Sequence, residues 1–126
     1  MNVFYAVFTL FVPVLMIICG IVMRKCHSDE PNDAMGYRTS RSMKNKDTWK
    51  FANELAGKLW IRFGIILTVI SGFFSFICFY SNVKYGVWIM VSAMILQSAV
   101  MIATIYPVEK ALKENFDDGG NRRKPI

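Results

Sequence analysis

The chain has one histidine, His27, and three cysteines, and its long apolar runs contain no carboxylate. Each shortage removes a class of chemistry. A single imidazole in a polar connector cannot supply a Ser-His-Asp or Cys-His relay. Without an intramembrane carboxylate, the usual proton relay of a pump has no carrier. Cys19, Cys26 and Cys78 are odd in number and irregularly spaced, so they do not form a disulfide framework. Cys19 and Cys78 fall in apolar runs, where cysteine behaves as a small hydrophobe. Cys26 and His27 beside Asp29 and Glu30 form the one candidate metal cluster. Adjacent residues rarely converge on one ion, however, and no second ligand pair stands at zinc spacing. The chain also lacks a glycine-rich phosphate loop, a nucleic-acid motif and internal repeats. It reads as no enzyme, with no metal, no cofactor and no nucleic-acid partner.

What is present is apolar residue in blocks. Three runs, about 2–23, 59–80 and 85–106, approach or exceed the roughly 20 residues that a helix rising about 1.5 Å per residue needs to cross a bilayer core of about 30 Å. The reading is an all-α membrane protein of a single domain. The first run has no charge and ends at Arg24-Lys25, the reverse of a secretory signal, so an uncleaved span is expected. Pro13 would kink it, tolerably if a neighbouring helix satisfies the carbonyl that proline leaves free. In the second run Gly64, Thr68, Ser71 and Ser75 recur at helical spacing, the pattern that lets helices pack closely in lipid. The third follows a very short turn, Ser81 to Lys84, so the two form an antiparallel hairpin. Gln97 lies at the middle of the third run, where an amide calls for a Ser or Thr partner on another helix. The last residues, 115–126, read as a disordered tail.

Between the first two runs lies the longest polar interval, 36–58. It carries Arg38, Arg41, Lys44, Lys46, Lys50 and Lys58 with two aromatic rings, Tyr37 and Trp49. Ser42 or Asn45 is placed to cap a helix. Beyond it Trp49, Ala52, Leu55, Ala56, Leu59 and Phe63 recur at three and four residues, one face of an amphipathic helix. A basic helix with a tryptophan suits the plane of the membrane interface, and Gly57 would let the chain bend from there into the second span. Arg38 can fork two N–H bonds to a phosphate or carboxylate, and Lys44 adds a point charge. Anionic lipid headgroups, a peptide or a cytosolic protein all fit that surface.

The net charge is +6, from 15 Lys plus Arg against 9 Asp plus Glu, and Lys and Arg accumulate between Arg24 and Arg62 and again in the tail. The positive-inside rule therefore places both in the cytoplasm, with the amino terminus and the hairpin outside.

Gly36-Tyr37-Arg38-Thr39, Ser42-Met43-Lys44, Trp49, Asn53 and Gly57-Lys58, in that order and spacing, resemble the signature of the SdpI family of bacterial membrane proteins. With one span before the signature and two after it, the likeness extends over nearly the whole chain, which looks like a short form of the family. The family's namesake protects a bacterium against its own secreted toxic peptide and signals by holding a repressor at the membrane. The resemblance implies an immunity-type membrane protein, with Gly36, Tyr37, Arg38, Thr39, Ser42, Lys44, Trp49, Asn53 and Gly57 as its functional surface. Gly64, Thr68, Ser71, Ser75 and Gln97 are assigned to bundle packing. Competing readings are a regulatory scaffold that recruits a cytosolic protein and a small transporter subunit.

Overall fold

The structure, a computed structural model, describes residues 3–25, 31, 36–80 and 84–123. The Cys26–Glu30 cluster and most of the connector and hairpin turns lie outside these residues. Among the described residues four helices follow in order: α1 (Val3–Lys25), α2 (Lys46–Tyr80), α3 (Gly86–Ala103) and α4 (Ile105–Asn115). Among the described residues, three stretches are long and apolar enough to cross a membrane: α1, α2, and α3 with α4 taken together. Their outward faces carry Phe11, Val69, Phe73, Phe76, Trp88 and Ile95, all well exposed. Such faces belong in lipid, and the chain is a multi-pass membrane protein.

α1 and α2 pack antiparallel along a seam written in heptads. On α1 the buried residues are Thr9, Pro13, Met16, Gly20 and Met23, spaced alternately by four and three. On α2 they include Gly57, Gly64, Ser71 and Cys78, each seven apart, the repeat that keeps one stripe facing a partner. Gly20 and Gly57 face each other so closely that a β-carbon on Gly57 would lie 2.6 Å from the Gly20 carbonyl oxygen. One on Gly64 would lie 2.6 Å from Ile17 Cγ1. Lipid offers no hydrophobic drive for two apolar helices to associate, so close van der Waals approach through small residues must hold them. Ser71 and Ser75 are buried in the bundle. Thr68 is half-buried and turns its hydroxyl back to the Gly64 carbonyl at 2.7 Å, so it makes no bridge between helices.

Pro13 and Gln97 solve one problem together. Proline lacks the N–H that would bond the carbonyl four residues earlier, which is that of Thr9. Gln97 Nε2 donates to that oxygen at 3.0 Å and to Ser71 Oγ at 2.8 Å, joining all three spans. In a Pro13→Ala background the restored N–H can serve Thr9, and Gln97→Leu is then expected to cost about 1 kcal/mol less than in the parent, the scale of an interhelical bond in lipid. A double-mutant cycle of unfolding free energies checks this; strict additivity would contradict it.

Two expectations are corrected. The polar segment 46–58 is helical, but it is not a separate helix lying in the interface. It is the first third of α2, an unbroken 35-residue helix, about 52 Å long at 1.5 Å per residue. Gly57 does not act as a bend because α1 occupies the space into which the chain would turn. Lys46, Asp47, Lys50, Glu54 and Lys58 keep this third out of hydrocarbon, so α2 projects from the bilayer as a rod. The tail is ordered over 116–123, where Phe116 is buried and bridges to Arg122 in a tight turn. α4 is the intermediary. Pro107 stands in the first turn of α4, where proline is tolerated. Its missing N–H would have bonded the Ala103 carbonyl, and the break between α3 and α4 falls there.

Candidate functional site: a folded cap on the motif end of the bundle

The apolar core of the molecule lies at the projecting end. Met23, Tyr37, Ala52, Ala56, Val108, Leu112 and Phe116 form one buried cluster, flanked by Phe51, Leu55, Leu59 and Trp60. Val108, Leu112 and Phe116 recur every four residues, so one face of α4 and the residue just beyond it close over α2. Phe51 meets the Phe116 ring edge-on at 5.5 Å, and the Arg122 guanidinium covers the ring at 5.1 Å. Trp60 Nε1 donates to Thr104 Oγ1 at 2.9 Å, pinning α2 to the α3–α4 junction.

The loop 36–45 is threaded into this cap by hydrogen bonds. Asn45 caps α2: its Oδ1 accepts the Thr48 N–H at 2.9 Å while Thr48 Oγ1 accepts the Asn45 N–H at 3.0 Å, a reciprocal box that satisfies two donors. Ser42, the other candidate cap, is fully buried. Its hydroxyl donates toward the Tyr37 carbonyl at 2.9 Å and accepts the Thr39 N–H at 2.8 Å, closing the turn. Asn53 Oδ1 accepts the Tyr37 N–H at 2.9 Å, and Asn53 Nδ2 donates to the Trp49 carbonyl at 2.9 Å. Asn53 and Trp49 are both 0% exposed, so this amide spends its oxygen on the buried Tyr37 N–H, which lies outside any helix, and its nitrogen on a carbonyl of its own helix. Asn53→Ala is expected to cost about 1–3 kcal/mol, the penalty for stranding a buried donor. Chemical denaturation followed through Trp49 emission measures it; a loss below about 0.5 kcal/mol would contradict the assignment.

Tyr37 reaches across the cap, its hydroxyl donating to Glu109 Oε1 at 2.7 Å. Burial, then the bond to this carboxylate, raises its pKa well above the ordinary value. The folded state thus resists ionisation that the unfolded chain accepts near pH 10. The stabilisation is complete below that pH and is lost as pH rises beyond it. Tyr37→Phe is expected to lose about 1 kcal/mol at neutral pH and to show a shallower fall in stability above pH 10 than the parent, read from denaturation midpoints across that range.

The tail closes the far side. Asn45 Nδ2 donates to the Gly120 carbonyl at 2.7 Å, and Lys44 Nζ donates to the Asp118 carbonyl. Arg41 stands 3.9 Å from Glu109 and 3.6 Å from Asp118, partly exposed pairs worth little each. Asp117 Oδ1 accepts the N–H groups of Gly119 and Asn121 at 2.9 Å each. The backbone N–H of Asn121 is the main cause holding this carboxyl below its usual pKa.

The motif residues are therefore brought together, but mostly inward. Tyr37, Ser42, Trp49, Asn53 and Gly57 are buried, and Trp49 is packed under Gly36 rather than anchored in headgroups. Among the motif residues, Arg38 and Lys44 are exposed, with Thr39 half-exposed. Arg38 borders a small cavity of about 230 Å3 with Thr39, Met23, Trp60 and Met101. Sequence reasoning missed Glu109 and Phe116. The four-residue spacing from Val108 was a usable signal for Phe116; Glu109 had none.

A family model, described as the SdpI/YfhL protein family, matches residues 29–107. That interval takes in the whole motif loop and α2 and α3. The chain belongs to the SdpI/YfhL family. An uncharacterized protein YfhL of Bacillus subtilis (strain 168) is 32% identical over 109 residues, covering 86% of this chain and 89% of that protein. No solved structure matches. In this family member the signature builds a cap whose interior is the motif and whose rim is basic.

Proposed function

We propose that this SdpI/YfhL protein is an immunity-type membrane protein: it protects its cell against a membrane-active toxic peptide and relays the peptide's presence to the cap. The observation that carries the reading is the continuity of α2. One 35-residue helix is both a wall of the intramembrane bundle and the floor of the motif loop. A peptide that shifts α2 against α1 must therefore also shift Asn53 beneath Tyr37. The basic rim, with Arg24, Lys25, Lys46, Lys50 and Lys58 exposed around the cap's base, supports placing this end in the cytoplasm against anionic headgroups. Expression in a sensitive host, challenged with a panel of membrane-lysing peptides, tests protection. Survival should rise against at least one peptide; unchanged killing across the panel would contradict the reading.

The same rim favours a second reading, a scaffold that recruits a cytosolic regulator. Photocrosslinkers at positions 38 and 44 separate the two. A recurring protein adduct supports recruitment, and labelling of lipid alone opposes it.

A further inference from the structure

The cations of the motif loop have different surroundings. Lys44 donates to the Asp118 carbonyl, and Arg41 stands beside Glu109 and Asp118, so both serve α4 and the tail. Arg38 instead borders the small cavity with Trp60, Met101, Ile102 and Ile105. Its backbone is fixed from both sides: Asn53 holds the Tyr37 N–H, and Ser42 holds the Thr39 N–H. Arg38 itself is exposed.

Trp60 marks the depth of this cation. Lys58 and Arg62, two residues to either side of it, are exposed, and charged side chains near the end of a span reach for the headgroups. Tryptophan favours the same level. The cavity therefore opens at the edge of the hydrocarbon, where lipid phosphates begin.

From there a shallow apolar groove of about 480 Å3 runs inward along α3. Val91, Met94, Ile95, Ser98, Ala99 and Ile102 line it, and Ile102 also lines the cavity at Arg38. These residues recur at three and four, which is one stripe of a helix. Val91 to Ile102 covers about 16 Å of helix, half of a core about 30 Å thick. The groove is one leaflet deep and has a guanidinium at its outer end.

These two features together select an occupant. α1 and α2 meet through Gly20, Gly57 and Gly64. The α3 stripe has no glycine, so it offers another helix no such close approach. A flexible acyl chain needs only a shallow apolar channel of this length. At the outer end, arginine forks two N–H bonds to phosphate oxygens.

We propose that the α3 groove binds one anionic phospholipid of the cap-side leaflet, with an acyl chain against Ser98 and Ala99 and the phosphate held by Arg38. The site is independent of the immunity reading: it concerns the lipid the protein carries, not the peptide it opposes.

The test uses the full chain with Trp88→Phe in phosphatidylcholine liposomes. Trp49 is fully buried, which leaves Trp60 to report the site. A minor fraction of the lipid carries a nitroxide close to the glycerol, on phosphatidylglycerol in one arm and on phosphatidylcholine in the other. Phosphatidylglycerol should quench Trp60 as though enriched about 5-fold beside it, the scale of one cation near the membrane surface. Arg38→Gln should abolish most of this preference, and Arg38→Lys should keep part of it. Ala99→Phe, on an exposed face, fills the groove with Arg38 in place and should lower the preference too. It decides alone if Arg38→Gln does not fold. Equal quenching by the two lipids in the parent would overturn the proposal. So would an equal loss in Lys50→Gln, a position about 15 Å farther out along α2 than Trp60, because the basic rim as a whole would then attract the lipid. A preference that survives Ala99→Phe would also overturn it, since the cation would act without the groove. Relief of quenching by inorganic phosphate would make a free anion the ligand, and relief by a leucine-alanine transmembrane helix would make a helix the occupant. Disulfide formation between copies through a cysteine at position 99, undiminished by phosphatidylglycerol, would put a second copy there. Any of these three results overturns the lipid site.

Discussion

Gly57→Leu is expected to separate α1 from α2 and produce the largest loss of stability of any single change in the bundle. A β-carbon alone at this position would stand 2.6 Å from the Gly20 carbonyl oxygen, 2.8 Å from the Arg24 nitrogen and 2.9 Å from the Arg24 β-carbon. Two of these are backbone atoms, so no rotamer can relieve the clash. Alanine already tests the balance. It gains about 1 kcal/mol of helix propensity over glycine and meets an overpacking cost of about 1–3 kcal/mol, for a net loss. Leucine adds three more carbons with nowhere to go and should fall at or beyond the upper end. Gly72 supplies the control: a β-carbon there approaches only Leu10 Cδ2, at 4.0 Å. Gly72→Ala should be neutral or slightly stabilising. Unfolding free energies of the three variants in detergent micelles check the order. A Gly57→Leu protein as stable as its parent would mean that the helices do not meet at Gly20.

Gly36→Ala is expected to unlatch the cap while leaving the spans intact. Gly36 has a φ of +113°, a region that residues with side chains rarely occupy at a cost of about 1–3 kcal/mol. Its added β-carbon would lie 2.5 Å from Asn53 Oδ1 and 2.9–3.0 Å from the Trp49 ring. Both neighbours are fully buried and cannot retreat. The Asn53 oxygen is also the acceptor for the Tyr37 N–H, so moving it strands that donor for a further 1–3 kcal/mol or so. Together these set a loss of about 3 kcal/mol or more for the cap. Hydrogen exchange should show the Tyr37 and Asn53 amides losing protection while α3 keeps its own. Uniform loss through all helices would show that cap and bundle unfold as one unit.

The spans and the family were legible because each depends on local pattern. Long apolar runs in the sequence announce membrane helices whatever they pack against, and the signature residues stand at short fixed offsets. The direction in which the motif faces was not legible. Arginine, lysine and tryptophan suggest a surface until Trp49 is found under Gly36, and the cap around it is closed by Glu109 on Tyr37 and Phe116 on Phe51, each more than 60 positions from its partner in the chain. Periodicity located the helix from residue 46 onward but not its continuity with the span. Glycine can end, bend or pack a helix, and only the presence of Gly20 opposite Gly57 selects packing. The tail misled for a related reason. Asp117, Asp118, Gly119 and Gly120 have the composition of a solvated end, and they form instead a turn whose Gly120 carbonyl is held by Asn45.

The rod-like continuity of α2 can be measured as one distance. Spin labels replacing Lys50 and Phe73, both exposed on α2, with native cysteines removed, are 23 residues apart. An unbroken helix sets their backbone separation at about 35 Å, whereas a right-angle bend at Gly57 would shorten it to about 26 Å. Dipolar electron spectroscopy in nanodiscs should give a single narrow distribution near the longer value. A peak near the shorter one would mean that the motif helix lies flat on the membrane and that the cap does not form.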